Sequence, residues 1–322
     1  MKNRYVIYFF LAFSIFSFAC KRSNNETKQI DFTFKRFELD FLNLDIKNID
    51  SSLLNLSKEY PLFFMQEDAL ELYKQSYLYN LDFVNSHDSV VNKFGDLNLL
   101  KNDLYSLLSN YANYFPVDKY QVFTYASNYD IANKIVVTDS AGFIALDCYL
   151  GSNYFAYAFY PKYFSETLSK EYILSDFAIE LAKKNIRKNT SDLSFLQEMI
   201  YYGKVYCLAS FLLPDHSDYL LMNYLPNQIE WCKENETSIW KYYIDNDILF
   251  NTSAELKSRF INPAPFSKFY LSIDNDSPGR TACWMGWQIV KSYLNNTTTT
   301  LEELIVNTNA QEILTKSNYK PQ

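Results

Sequence analysis

The chain has 322 residues, with 6 glycines, 2 histidines and a formal net charge of −7. The sparse glycines exclude the P-loop and the dinucleotide-binding fingerprint, and the two distant histidines exclude an H-E-x-x-H zinc motif. The acidic balance argues against binding nucleic acid through its phosphates. We therefore expect no cofactor, no metal and no nucleic-acid partner.

The first twenty residues predict a targeting segment rather than a part of the fold. A basic start precedes an apolar stretch, 6–18, that is too short for an ordinary transmembrane helix. The small residue Ala19 directly before Cys20 resembles a bacterial lipoprotein signal, so we expect cleavage of residues 1–19 and acylation of Cys20. Its acyl chains would then hold the domain on a membrane. A plain secretory signal or an uncleaved anchor is the alternative.

The rest of the chain predicts a short polar tether, 20–30, and a single globular domain, 31–322, because no long Gly-, Ser- or Pro-rich linker divides it. A first strand is expected at 31–37. Capped or amphipathic patterns then predict three helices. These helices are 50–59, 67–79 and 97–111.

The middle of the chain is rich in β-branched and aromatic residues, which predict a small sheet. The predicted strands are 120–125, 134–138 and 143–149. After residue 169 the pattern is helical almost to the end, with prolines between the helices. The predicted helices are 171–185, 191–213, 226–248, 252–260, 282–296 and 299–316. Helices, then a sheet, then helices favour an α+β fold, predominantly α-helical with a small central β-sheet.

Four cysteines follow Cys20, each among apolar residues. They are Cys148, Cys207, Cys232 and Cys283. Since cysteine behaves as a small hydrophobe, buried free thiols are predicted. Disulfides are the alternative, because an even number of cysteines in an exported protein permits them.

The histidines give little support for nucleophilic catalysis. His87 and His216 stand in the polar segments N-S-H-D-S and P-D-H-S-D, which are typical of surface loops. We therefore interpret both as loop residues.

Asp147 interrupts an apolar strand. A buried carboxylate without a partner is costly, so Asp147 should be paired with an arginine or with backbone donors. Arg280 is one possible arginine, although nothing in the sequence places it near Asp147. We interpret the pairing as structural rather than catalytic.

The segment 277–293, S-P-G-R-T-A-C-W-M-G-W-Q-I-V-K-S-Y, has the most unusual composition in the chain. Pro278 and Gly279 predict a turn before a helix. Gly286 lies inside that helix, where glycine costs about 1 kcal/mol relative to alanine, so we expect it to permit close packing. Trp284 and Trp287 share one helical face. A buried docking helix is the favoured interpretation, and a pocket or partner surface with Arg280 at its mouth is the alternative.

This segment resembles the C-terminal signature of the gliding-motility lipoprotein GldB family of Bacteroidota, which reads close to P-G-R-x-x-x-W-x-G-W-Q-I-V-x-S-Y. Further segments spread over the mature chain are similar to the same family. They are 34–41, 143–151, 199–204 (which contains Gly203), 231–236 and 310–321. The resemblance implies a membrane-anchored component of the gliding and protein-secretion machinery, without an agreed biochemical activity.

The family is more remotely similar to predicted zincin-like metalloproteases. In those proteins an H-E-x-x-H helix would correspond to residues 175–182, which contain no histidine here. Glu198 is similar to a glutamate of their second conserved helix. The resemblance therefore implies a zincin-like scaffold without its metal site.

These observations predict a non-catalytic interaction or assembly lipoprotein. It would be anchored facing the periplasm on either membrane, with other gliding and secretion proteins as partners. One alternative is a histidine-independent hydrolase that uses Asp147 and Glu198 in a pocket near Arg280. Another is a sugar- or peptide-binding lipoprotein with Trp284 and Trp287 as its platform.

Overall fold

The computed structural model of the chain describes residues 28–321. The predicted signal segment, the predicted acylation site Cys20 and most of the tether lie outside the described residues. Within them the fold is α+β, mostly helical with one small sheet, as the sequence predicted.

The sheet has four strands in the order β1-β2-β4-β3. Their bounds are Asp31–Arg36 (β1), Lys119–Tyr125 (β2), Ile135–Val137 (β3) and Ala141–Ala145 (β4). β2 pairs in parallel with both β1 and β4, whereas β3 is antiparallel to β4. The last strand is shorter than predicted, since the chain turns into a 3-10 helix, Leu146–Tyr149.

Both faces of the sheet are covered, as is usual for parallel strands. On one face, Phe123 and Phe143 pack into an aromatic cluster with Phe37, Phe41 and Tyr60. The N-terminal helices supply most of this cover. Their bounds are Phe37–Leu42 (α1), Ile49–Glu59 (α2), Ala69–Tyr79 (α3) and Leu81–Phe94 (α4). The next helix, Asn98–Ala112 (α5), packs into the core on the other face.

The other face packs against the larger core, which the C-terminal helices complete. These are Lys162–Ser165 (α6), Ile173–Asn185 (α7), Phe195–Leu212 (α8), Asp218–Leu221 (α9), Pro226–Glu234 (α10), Glu236–Asp245 (α11), Ala254–Phe260 (α12), Thr281–Asn296 (α13), Leu301–Val306 (α14) and Ala310–Ser317 (α15). α8 is central, with apolar residues on every side, as expected of a buried helix.

Two predicted helices are each divided in two, at asparagine residues. Asn235 separates α10 from α11, and Asn309 begins α15 by accepting a hydrogen bond from the Glu312 N–H. Asparagine competes for backbone hydrogen bonds and favours such helix ends. Hydrophobic periodicity alone does not reveal these breaks.

α8 and α13 cross at two glycines. A Cβ atom on Gly286 would lie 1.9 Å from the carbonyl oxygen of Met199, and one on Gly203 would lie 2.3 Å from that of Gly286. The backbones therefore touch directly, which confirms the close packing predicted for Gly286 and gives Gly203 the same role.

All four cysteines in the described part of the chain are buried free thiols, which confirms that prediction. Between residues 28 and 321, no helix combines the length and apolar character needed to cross a bilayer.

Candidate functional site

A cavity of about 590 Å³ lies between β3, α7, α8 and the start of α13. Its wall contains the charged residues Lys134, Asp176 and Arg280 and the aromatic residues Tyr202 and Tyr224. Pockets that bind small ligands typically have about 300–1,000 Å³ of volume and a few polar groups in a mostly apolar wall. This cavity fits that description in volume, and its wall is more highly charged.

Arg280 immediately precedes α13 and has left-handed backbone torsions, with φ of 61°. Its Nη2 donates to the carbonyl oxygens of Met222 (2.5 Å) and Asn223 (2.8 Å), and its Nη1 donates to the Tyr206 hydroxyl (3.2 Å). The guanidinium also lies 5.2 Å from the centre of the Tyr224 ring. No carboxylate of the described residues forms an ion pair with Arg280. Carbonyl dipoles and an aromatic face hold its guanidinium, and the Asp176 carboxylate favours its charge from a greater distance.

The turn before α13 positions Arg280. The Pro278 carbonyl accepts hydrogen bonds from the N–H (3.0 Å) and hydroxyl (2.8 Å) of Ser267. A Cβ atom on Gly279 would lie 2.3 Å from the Ala264 carbonyl oxygen. Pro278 and Gly279 therefore dock this turn closely on residues 264–267, which fixes where the Arg280 side chain begins.

Asp176, on α7, is the other central charge. Its carboxylate accepts hydrogen bonds from the Tyr149 hydroxyl (2.7 Å) and the Asn223 side chain (2.6 Å), and it pairs with Lys134 (2.5 Å). Burial and the Asp176 carboxylate raise the pKa of Tyr149 well above its ordinary value, so Tyr149 donates as a neutral phenol. Asn223 connects this network to Arg280 through its own carbonyl oxygen.

Asp147 is fully buried but does not line the cavity. It accepts hydrogen bonds from the backbone N–H groups of Ser127 (2.9 Å) and Tyr129 (2.6 Å). These bonds hold a turn in which Asn128 and Tyr129 both have positive φ. Backbone donors were one predicted partner and are confirmed, whereas the suggested pairing with Arg280 is wrong.

Glu198, on α8, is also away from the cavity. Lys188 and Lys257 contact its carboxylate at 2.9 and 2.5 Å. Burial alone would raise the pKa of Glu198, but the hydrogen bonds from these lysines outweigh it and lower the pKa below its ordinary value. The expectation that Asp147 and Glu198 share a pocket with Arg280 is therefore wrong.

Trp284 and Trp287 are 2% and 0% exposed, so they cannot form a binding platform. Trp287 packs near Tyr206, and the Lys291 ammonium lies 3.6 Å from the centre of its ring. The favoured interpretation, a buried docking helix, is confirmed.

The loop interpretation of His87 is wrong. His87 is fully buried on α4, where its ring packs against Phe41 and Phe83. Its Nδ1–H donates to the Phe83 carbonyl oxygen (2.8 Å), while burial lowers the pKa of the imidazole to about 4. The residues next to His87 in sequence are polar, but the helix that they form has one apolar face, and His87 lies on it. His216 lies in a turn and is partly exposed, as predicted.

Sequence reasoning missed Lys134, Asp176 and Asn223. Asp176 had a usable signal, because it stands among apolar helix residues just as Asp147 stands among apolar strand residues. Asn223 had the same signal, since it stands in the apolar run L-L-M-N-Y-L, whereas Lys134, at the start of a β-branched run, had none.

Within residues 28–321, no three His, Cys, Asp or Glu side chains are grouped so that they could hold a metal ion. At the position of the zincin-like motif, α7 instead brings Asp176 and Glu180 to the cavity wall.

The fold and the site define a mostly helical α+β domain with a charged cavity beside its core. A family model described as "Gliding motility protein GldB" matches residues 20–321. The chain therefore belongs to the GldB family and is a gliding-motility-associated protein. Neither the curated proteins nor the solved structures contain a match to it, and the zincin-like relation stays a prediction.

Proposed function

We propose that this chain is a lipid-anchored, non-catalytic assembly component of the gliding-motility and protein-secretion machinery, facing the periplasm. The main support for this proposal is the extent of the family match. It begins at Cys20, the residue predicted to be acylated, and continues to residue 321. This extent supports one family pattern for the whole part of the chain that follows the predicted cleavage site.

The placement of the acidic residues supports a non-catalytic role. The Asp147 carboxylate accepts hydrogen bonds from backbone N–H groups, and the Glu198 carboxylate forms ion pairs with two lysines. A general acid or base must reach a substrate within hydrogen-bond distance, and neither of these residues lines the cavity. This geometry counts against the hydrolase that was the alternative.

Gene deletion and complementation in the gliding bacterium test the proposal. We expect the deletion strain to lose colony spreading and to secrete less protein, and we expect the wild-type gene to restore both. Quantitative proteomics should show a lower abundance of other gliding proteins, since an assembly component stabilises its partners by binding. Normal spreading and secretion in the deletion strain would contradict the proposal.

The anchor is tested separately with Cys20→Ala. We expect this variant to lose acyl labelling and to leave the membrane fraction, because a stable anchor requires the attached acyl chains. Tyr79→Ala is the matched control, since Tyr79 is 77% exposed and far from residue 20 in sequence. A wild-type protein that takes up no acyl label would refute lipidation without touching the assembly role.

A further inference from the structure

We propose that the cavity at Arg280 binds the terminal carboxylate of a peptide. This inference goes beyond the assembly role and does not depend on it, because it concerns binding by the purified protein.

The first argument is the distribution of charge inside the cavity. The wall carboxylates Asp176, Glu180 and Glu166 are each paired with a lysine, namely Lys134 at 2.5 Å, Lys183 at 2.7 Å and Lys162 at 3.4 Å. Arg280 has no such partner in the described part of the chain. The chain as a whole is acidic, with a formal net charge of −7. An unpaired cation in the cavity wall therefore favours an anionic ligand, although the protein as a whole is negatively charged.

The second argument is the set of donors that Arg280 retains. An arginine side chain carries five N–H donors in a planar fork. Arg280 uses three of them, for Met222, Asn223 and Tyr206. Nε–H and one hydrogen of Nη1 have no acceptor among residues 28–321. The two N–H groups lie on different edges of the guanidinium, so a carboxylate can accept from one of them, and charge-assisted hydrogen bonds to guanidinium are the stronger kind.

The backbone holds Arg280 ready for such a ligand. Its left-handed torsions and the docked turn 277–279 fix the start of the side chain, while two carbonyl oxygens and the Tyr224 ring fix its end. Little side-chain entropy remains to be lost on binding, which favours affinity.

The third argument is the rest of the wall. Tyr163, Phe164 and Tyr202 are partly exposed and offer aromatic surface for a side chain of the ligand. Asn262 adds an amide that can pair with peptide N–H and C=O groups, and Gln228, whose side-chain oxygen accepts from the Leu225 N–H (2.9 Å), adds an NH2 donor. A volume of about 590 Å³ is within the usual range for small ligands. Together these groups suit the last residues of a peptide chain.

Calorimetry on the full chain, purified in detergent, tests the proposal. The probes are N-acetylated tripeptides, one for each C-terminal side chain, and each is prepared as the free acid and as the C-terminal amide. The two forms have nearly the same shape and differ in charge. We expect at least one free acid to bind and its amide to bind at least about tenfold more weakly. Equal binding of the two forms, or binding by no acid, would overturn the proposal.

Variants locate the binding. Arg280→Gln should weaken the acid at least about tenfold, and Tyr163→Ala should weaken acid and amide alike. Tyr79→Ala, exposed and outside the cavity, should leave both unchanged. If circular dichroism shows that Arg280→Gln does not fold, the acid–amide comparison on the unaltered chain still decides. Tighter binding of glucuronate than of every peptide acid would overturn the assignment to a peptide.

Discussion

Replacing His87 with leucine should remove an acid-induced loss of stability. His87 is 0% exposed, and its Nε2 has no hydrogen-bond partner in the part of the chain that the structure describes. Burial lowers the pKa of the imidazole from 6.5 to about 4, and the hydrogen bond to the Phe83 carbonyl opposes this shift only in part. The folded protein therefore keeps His87 neutral where the unfolded chain binds a proton.

The sign and size of the effect follow from these two pKa values. Because the folded pKa is the lower one, His87 costs no stability above pH 6.5, and stability is lost as the pH falls from 6.5 towards 4. Proton linkage gives a loss of about 2 kcal/mol by pH 5 and about 3 kcal/mol by pH 4.

Urea unfolding of the wild type and His87→Leu at pH 7.5, 6, 5 and 4 measures this loss. Leucine suits the site because the Phe83 carbonyl keeps its hydrogen bond from the Ser86 hydroxyl (2.7 Å). The free energy of unfolding of the wild type, minus that of the variant, should fall by about 2 kcal/mol between pH 7.5 and pH 5. All other titrating groups cancel in this difference. A difference that stays flat would refute the reasoning.

Three further predictions concern stability. Gly286→Ala should destabilise the protein by more than about 2 kcal/mol at pH 7, because the new Cβ would lie 1.9 Å from the backbone oxygen of Met199. Urea unfolding measures this loss, and a loss below about 0.5 kcal/mol would contradict the helix crossing. Asp147→Asn should lower the free energy of unfolding by about 1–3 kcal/mol in the same assay, since an amide NH2 would face the N–H of Ser127 or Tyr129. Unchanged stability would argue against Asp147 as the acceptor that holds this turn. Burial lowers the pKa of Lys204 from 10.5 to about 8, so its charged form costs stability in the folded state. Relative to Lys204→Met, the wild type should therefore gain about 1.5 kcal/mol between pH 8 and pH 9.5, and no gain would mean that Lys204 titrates normally.

Local patterns in the sequence correctly located most elements of the fold. Hydrophobic periodicity placed α7, α8 and α13, and the β-branched and aromatic runs placed β2 and β4. The cost of a glycine inside a helix correctly predicted the contact at Gly286. Each of these inferences uses neighbours within a few residues, where spacing alone decides which face is buried.

The sequence did not show which distant residues contact one another. Asp147 needed a buried partner, but only the folded chain shows that Ser127 and Tyr129 supply it. His87 was misplaced because Phe41, which covers its ring, lies on another helix. Burial of a polar residue depends on what packs over it, and that is a property of the assembled core.

The sequence by itself determined the α+β class, the lipoprotein-like start, the family resemblance and the absence of the common histidine and glycine motifs. Only the tertiary structure decided where the candidate binding cavity lies, because its wall brings together residues as far apart as Lys134, Asp176, Asn223 and Arg280. Packing also decided which charged side chain lacks a counter-charge. Asp147, Glu198 and Asp176 find partners nearby, whereas Arg280 is held by carbonyl oxygens and an aromatic ring. A charge becomes available for binding when the folded chain leaves it without a counter-charge, and spacing along a sequence does not encode that.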